Sequence, residues 1–284
     1  MQPLILDFDA SVQPLPDATS IALQQWQEAI RFGCTLNTLA KLGSEIEPVL
    51  AAGSHTTFLG SGDYHHITHL LIRRYAKLGQ PLQLVVFDNH PDNMRYPFGI
   101  HCGSWVNHVS RLPFLSCVHV LGITSPDVET AHAWENHLRP LRSGKVRYWC
   151  VGRDLGWTKY LGITGSRSYS STSSMLDAFA AHIQTTTGPV YLSIDKDVLA
   201  ADVVHTNWDQ GVMRLEEMAA GIRLLRGRLV GSDVTGEVSV YRYRSRFKRI
   251  LSGLDGQPEI TEAELTRWQG EHQAINRQLL EWLP

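Results

Sequence analysis

The sequence predicts an α/β protein of three layers, a mostly parallel sheet held between helices. Short apolar runs recur along the 284 residues, without the strict alternation of a half-exposed strand. Stretches with helical spacing lie between them. Polar clusters follow four of the apolar runs, where open α/β sheets collect their functional loops.

Taken in order, Leu4–Phe8 is the first strand candidate. Thr19 to Phe32 reads as a helix, with a Ser/Thr cap candidate and Ile21, Leu23, Trp26 and Ile30 on one side. Thr57-Phe58-Leu59 then runs into a Gly-rich turn, and His65 to Leu78 reads as a helix apolar at Leu70, Leu71 and Tyr75. Leu82–Asp88, Cys117–Ile123, Val146–Val151, Val190–Asp195 and Leu229–Val234 have the length and β-branched content of buried strands. Ser166–Ser174 reads as a solvated loop or a helix entry. Leu215 to Arg226 is a helix whose Glu216 and Glu217 suit the positive end of its dipole. Thr261 to Leu283 closes the chain as an amphipathic helix, apolar at Leu265, Trp268, Ile275, Leu279 and Trp282. It is expected to pack across the sheet edge, with self-association as the sharper alternative. No repeat or linker interrupts residues 1–284, so one domain is expected.

Composition narrows the function. With 43% hydrophobic and 19% charged residues the chain is an ordinary globular protein with a sizeable core. A net charge of −2 and a single short basic stretch, Arg242–Arg249, argue against nucleic acid. The start lacks a basic, long-apolar leader and no run reaches the ~20 apolar residues of a spanning helix. The four cysteines are scattered, with no Cys-x-x-Cys pair. A reduced, cytoplasmic protein is expected.

The most telling segment is Leu84-Val85-Val86-Phe87-Asp88-Asn89-His90-Pro91-Asp92. Asp88, His90 and Asp92 stand at alternate positions, so an extended chain offers them on one side. Val190 to Ile194 ends likewise in Asp195-Lys196-Asp197, with Lys196 pointing away. Gly60 to His66 and Gly231 to Glu237 are the other two clusters. Acidic groups gathered in one cavity repel unless cations accompany them. Carboxylates with one or two imidazoles suit hard divalent ions with open positions, of the Mn or Mg type.

These residues resemble the arginase/agmatinase (ureohydrolase) family. Ser61-Gly62-Asp63-Tyr64-His65 is similar to its Gly-Gly-Asp-His-Ser motif, Asp88-Asn89-His90-Pro91-Asp92 to Asp-Ala-His-x-Asp, and Ser193-Ile194-Asp195-Lys196-Asp197 to Ser-x-Asp-x-Asp. The order agrees, and the resemblance extends from about residue 55 to 240. It implies an arginase-like fold and two Mn2+, other divalent ions being open. Asp88 and Asp195 would bridge the two; Asp92 and the first-motif histidine would complete one shell, and His90 and Asp197 the other. That histidine is His65, with His66 as the alternative, because Tyr64 stands where the family has His. His101 would pass a proton to the leaving amine, and Glu237 would receive the guanidinium through paired hydrogen bonds. Ala200 replaces a later Asp of the third motif. His205 to Gly211 replaces the Thr-Gly-Thr-Pro type loop, so Asn207, Trp208 and Asp209 are expected to contact substrate.

The function implied is hydrolysis of a non-peptide C–N bond in a guanidino, amidino or formimino small molecule, by attack of a metal-bridging hydroxide. No nucleic acid or membrane partner is expected, and a homo-oligomer is open. A non-catalytic metal- or ligand-binding protein is one alternative. Another is a haloacid-dehalogenase-like phosphatase, since Leu6-Asp7-Phe8-Asp9 resembles that family's first motif.

Overall fold

In the computed structural model, which describes residues 2–245, 248–249 and 260–283, eleven strands are present. They are β1 Leu4–Asp7, β2 Thr19–Ala22, β3 Gly33–Cys34, β4 Thr56–Ser61, β5 Leu82–Phe87, β6 Ile100–His101, β7 Leu115–Ile123, β8 Val146–Val151, β9 Arg167–Tyr169, β10 Val190–Asp195 and β11 Leu229–Glu237. Nine of them form one sheet in the order β2-β1-β4-β11-β10-β5-β7-β8-β9, every pair parallel. β3 and β6 make a small antiparallel ladder beside it.

The side chains of β5 show the layering. Leu84 and Val86 belong to one core, with Leu39, Leu42 and Ile46 of the helix Leu36–Ala51. Val85 and Phe87 belong to the other, with Phe179 of the helix Thr172–Gln184 and Met218 and Ile222 of the helix Leu215–Leu224. Both faces are therefore covered, which is why the strand sequences read as unbroken apolar runs. Each fully buried Leu, Ile or Phe contributes ~1.5–3 kcal/mol. The chain has a three-layer α/β fold with a parallel central sheet.

β10 and β11, late in the sequence, insert between β4 and β5. The C-terminal ends of four distant segments thus open side by side. The closing helix, Glu262–Trp282, starts on a Thr261–Glu264 capping box. It buries Ile275 and Leu279 in the second core rather than lying only along an edge. Among the described residues no helix is long and apolar enough to cross a membrane.

Three expected elements differ. Thr19–Phe32 is not one helix: Thr19–Ala22 is edge strand β2, followed by a 3-10 turn at Gln24–Trp26 and a single helical turn at Gln27–Ile30. Pairing with β1 overrides the helical spacing of its apolar residues. His65–Leu78 breaks into 3-10 turns around a short helix at Thr68–Ile72. Within Ser166–Ser174 lies edge strand β9, after which Ser171 caps the Thr172–Gln184 helix through the backbone of Ser174. Residues 246 and 247 of the basic stretch lie outside the described residues.

Candidate metal centre and active site

Parallel register brings the two acidic strand ends together. Ile194 of β10 pairs with Phe87 of β5, so Asp195 and Asp88 leave the sheet as neighbours. Each then folds its carboxylate back on its own turn: Asp88 Oδ1 accepts from the His90 amide at 2.6 Å, and Asp195 Oδ1 from the Asp197 amide at 3.0 Å. Asp92 sits at φ 47°, a left-handed conformation that a side chain other than Gly adopts only under constraint. Its carboxylate is held by the Trp105 indole N–H at 2.6 Å.

His65 approaches from the turn after β4. Its Nδ1 lies 3.2 Å from Asp88 Oδ2, 3.1 Å from Asp92 Oδ2 and 3.5 Å from Asp195 Oδ2. Its other nitrogen, Nε2, is 2.9 Å from Ser193 Oγ, which donates to Asp233 Oδ1 at 2.7 Å. Because the Ser193 proton is committed to Asp233, Ser193 accepts from Nε2–H, so the neutral ring turns its Nδ1 lone pair toward the carboxylates. Gly62 permits this crowding, since a Cβ there would stand 3.0 Å from Asp195 Oδ2 and 3.1 Å from the Trp208 ring.

His90 takes the opposite side. Its Nδ1 is 2.9 Å from Asp197 Oδ2 and 3.6 Å from Asp88 Oδ1. Its Nε2 is 2.7 Å from Asp209 Oδ1, and Asp209 is fixed in turn by the Asn89 side-chain amide at 3.1 Å. Two candidate cation sites result, His65–Asp88–Asp195 and Asp88–His90–Asp197, sharing Asp88.

The residues fit divalent cations on two further counts. His65 Nδ1 and Asp88 Oδ2 are buried side by side without a hydrogen-bond partner. The charges are also unbalanced. Burial and the neighbouring Asp88 push the Asp92 and Asp197 carboxyls up to about 7, and burial with Asp197 raises Asp195 well above its usual range. Burial works against charging His65 and His90, but their facing carboxylates outweigh it and raise both. A cation would relieve all of these strains at once.

Over the cluster lies a cavity of about 400 Å³. His101 lines it, stacked on Phe32 at 5.5 Å and edge-on to Tyr96 at 4.3 Å. The Gly103 amide donates to His101 Nδ1 at 2.9 Å, so the neutral ring carries its proton on Nε2. Burial, with the charge of His108 adding to it, lowers this imidazole to about 4. Trp208 and Asp209 also line the cavity.

Other expected residues lie elsewhere. Glu237 is 1% exposed and outside the cavity lining; its carboxylate is engaged by Lys196 Nζ at 2.5 Å and the Asn276 amide at 2.7 Å. The expectation that it grips substrate directly therefore has no geometric support. The cause is local: the register of β11 shifts on either side of Thr235, and Gly236 takes φ 92°. Asn207 is likewise turned away, exchanging hydrogen bonds with the Ser239 backbone. His66 packs toward Cys34 Sγ at 4.0 Å, outside the ligand groups, so the geometry favours His65. Asp63 pairs with Arg31 at 2.7 Å. Asp7 accepts from the Ala10 amide and Asp9 from Ser239, as turn residues away from the cavity.

Nothing in the sequence singles out Phe32 or Tyr96, whereas Ser193 and Asp233 stand in two of the strand-end clusters without a role assigned to either. Ser193 was visible as the Ser of Ser-x-Asp-x-Asp; the two aromatics carried no pattern that distinguishes a cavity wall from core.

Residues 8–241 match the family model described as the Arginase family. An uncharacterized protein of Thermotoga maritima is 30% identical over 234 residues, 82% of this chain and 78% of that protein. Among solved structures, the agmatine ureohydrolase of Thermoplasma volcanium aligns with a TM-score of 0.52 at 15% identity, over 86% of this chain and 66% of that one. The formimidoylglutamase of Bacillus subtilis aligns with a TM-score of 0.52 at 12% identity, over 85% of this chain and 66% of that one. The chain thus spans about two thirds of the length of these two enzymes and shares their fold. Together with the strand-end carboxylates and imidazoles, the match over residues 8–241 means that the chain belongs to the arginase family.

Proposed function

We propose that the protein hydrolyses a non-peptide C–N bond in a guanidino, amidino or formimino small molecule, with two divalent cations, Mn2+ being the expected pair. The observation that carries this is the sharing of Asp88 between two candidate cation sites beneath an open cavity. Similarity to a ureohydrolase and a formimidoylglutamase supports the bond class without choosing the substrate. When bound, such a pair supplies Lewis acidity, making a water nucleophilic near neutral pH.

The remaining work falls to the chain. Asp88 and Asp195 would hold both cations, Asp92 and His65 one, His90 and Asp197 the other. Ser193 and Asp233 fix the tautomer of His65, and Asp209 that of His90. His101 presents Nε2–H to the cavity. Its resting role is to donate a hydrogen bond to the departing nitrogen, and transfer of that proton requires recharging of the ring. Trp208 and Asp209 contact substrate, whereas Glu237 acts from behind through Lys196. The scattered cysteines, with no Cys-x-x-Cys pair, support a reducing compartment such as the cytoplasm.

The test is metal analysis of the native protein and of Asp195→Ala, followed by a screen of guanidino, amidino and formimino compounds for released amine or urea. Two cations per chain, lost in Asp195→Ala, are expected. Unchanged metal content in the variant, or none in the native protein, would defeat the binuclear reading. Metal without turnover of any compound would leave a binding protein.

A further inference from the structure

We infer that the substrate carries no carboxylate, and that its far end is a cation or an apolar group seated among aromatic rings. This rests on the proposed hydrolysis and narrows it to a substrate class. The first observation is the charge of the cavity wall: among the described residues Asp127 and Asp209 lie on it and no Lys or Arg does. Four ligand carboxylates balance two divalent cations, so Asp127 and Asp209 leave a loaded cavity negative.

Among the described residues, the nearby cationic side chains each have a polar partner away from the cavity lining. Lys196 turns to Glu237, and Arg31 to Asp63 and Asp9. Arg95 Nε donates to the Asn136 carbonyl, and Arg153 pairs with Glu129. Lys248 Nζ donates to the carbonyls of Glu28, Ala29, Arg31 and Gly33. A substrate carboxylate entering here would lose its hydration and meet like charge with no counter-ion.

The second observation is the chemistry of the walls. Phe32 stacks on His101 at 5.5 Å and faces Trp208 at 6.3 Å, and Tyr96 closes against His101 at 4.3 Å. Phe32, Tyr96 and Trp208 add aromatic and apolar area to a cavity that the ligand carboxylates also line. Such a box attracts an ammonium or guanidinium by its ring quadrupoles and accepts a methylene chain or an aryl group by burial. Asp127, a half-buried residue of the cavity lining, can meet a distal ammonium.

The experiment uses the full chain loaded with Mn2+ and three guanidines on one four-carbon chain, ending in ammonium, methyl or carboxylate. The expected order of kcat/KM is ammonium, then methyl, then carboxylate, with at least tenfold between the first and last. Asp127→Asn is expected to narrow the ammonium-to-methyl ratio, and Trp208→Leu to raise KM for both. Turnover of the carboxylate compound equal to or above the ammonium compound overturns the inference while leaving the hydrolase reading intact. If none of the three is hydrolysed, the guanidino branch of the hydrolase reading loses its support. Calorimetric titration of the same compounds then decides the class: weakest binding by the carboxylate upholds the inference, and equal or tighter binding overturns it.

Discussion

Lys196 and Glu237, both buried to within 1% exposure, form an ion pair at 2.5 Å directly behind Asp195 and Asp197. Asn276 of the closing helix locks it, accepting from Lys196 at 2.9 Å and donating to Glu237 at 2.7 Å. Lys196 stands between two candidate metal ligands in sequence, so this triangle ties the closing helix to the metal turn. Glu237→Gln keeps the shape but leaves a buried ammonium unpaired, which costs about 3–5 kcal/mol in such sites. Urea unfolding should show that loss, and Lys196→Met combined with Glu237→Leu should recover much of it. A variant Glu237→Gln of native stability with a raised KM would instead mean that Glu237 touches substrate.

His65 and His66 separate cleanly by their surroundings. His65 Nδ1 faces three carboxylates, whereas His66, its pKa held well below the usual value by burial and then by His101, faces none of them. His65→Asn should lower bound metal, measured by mass spectrometry after desalting, while His66→Asn should retain the native stoichiometry. Ser193→Ala leaves both histidines in place but frees the His65 tautomer. Loss of such an outer partner typically costs 10–100-fold in metal affinity. Equal metal loss in His65→Asn and His66→Asn would contradict this assignment.

Much of this centre is legible in the sequence because buried parallel strands write themselves as apolar runs and end in what they deliver. Asp88, His90 and Asp92 follow one such run, and Asp195 and Asp197 another. What was illegible depends on backbone details that spacing does not encode. Glu237 turns inward because β11 slips register around Thr235. Phe32, read as the end of a helix, sits at φ 67° after a single helical turn and so reaches the cavity. The Leu36–Ala51 helix went unseen although Thr35 caps it through Thr38. Its Gly43 and Pro48 blur the helical signal.

Gly236 offers a sharp test of how tightly the metal turn is packed. A Cβ there would lie 2.4 Å from Asp195 Oδ1 and 2.6 Å from the Lys196 amide nitrogen, at φ 92°. Gly79, at φ 73°, has nothing within 4 Å of the same position. Gly79→Ala should therefore cost only the left-handed backbone penalty of about 1–2 kcal/mol. Gly236→Ala should cost more and also release metal, because Asp195 must move. Similar thermal shifts and full metal content in both variants would show that the turn yields more easily than this packing implies.

Acid stability should be governed by histidines buried in neutral form. Burial, with His182 and Arg147 adding to it, lowers His119 to about 3, and burial lowers His69 to about 4. Burial also holds His66 and His272 well below their usual value. Their folded pKa values lie below the unfolded value near 6.5, so the unfolded chain binds more protons as pH falls. Their stabilisation is present above about pH 6.5 and drains away toward the folded values, at up to ~1.4 kcal/mol per pH unit for each histidine. His119 accepts from the Trp149 indole through Nδ1, a bond that the amide oxygen of His119→Asn can replace. Denaturant unfolding between pH 7 and pH 4.5 should show a shallower decline in that variant than in the native protein. A slope identical in the two would mean that His119 is protonated in the folded state, contrary to its burial.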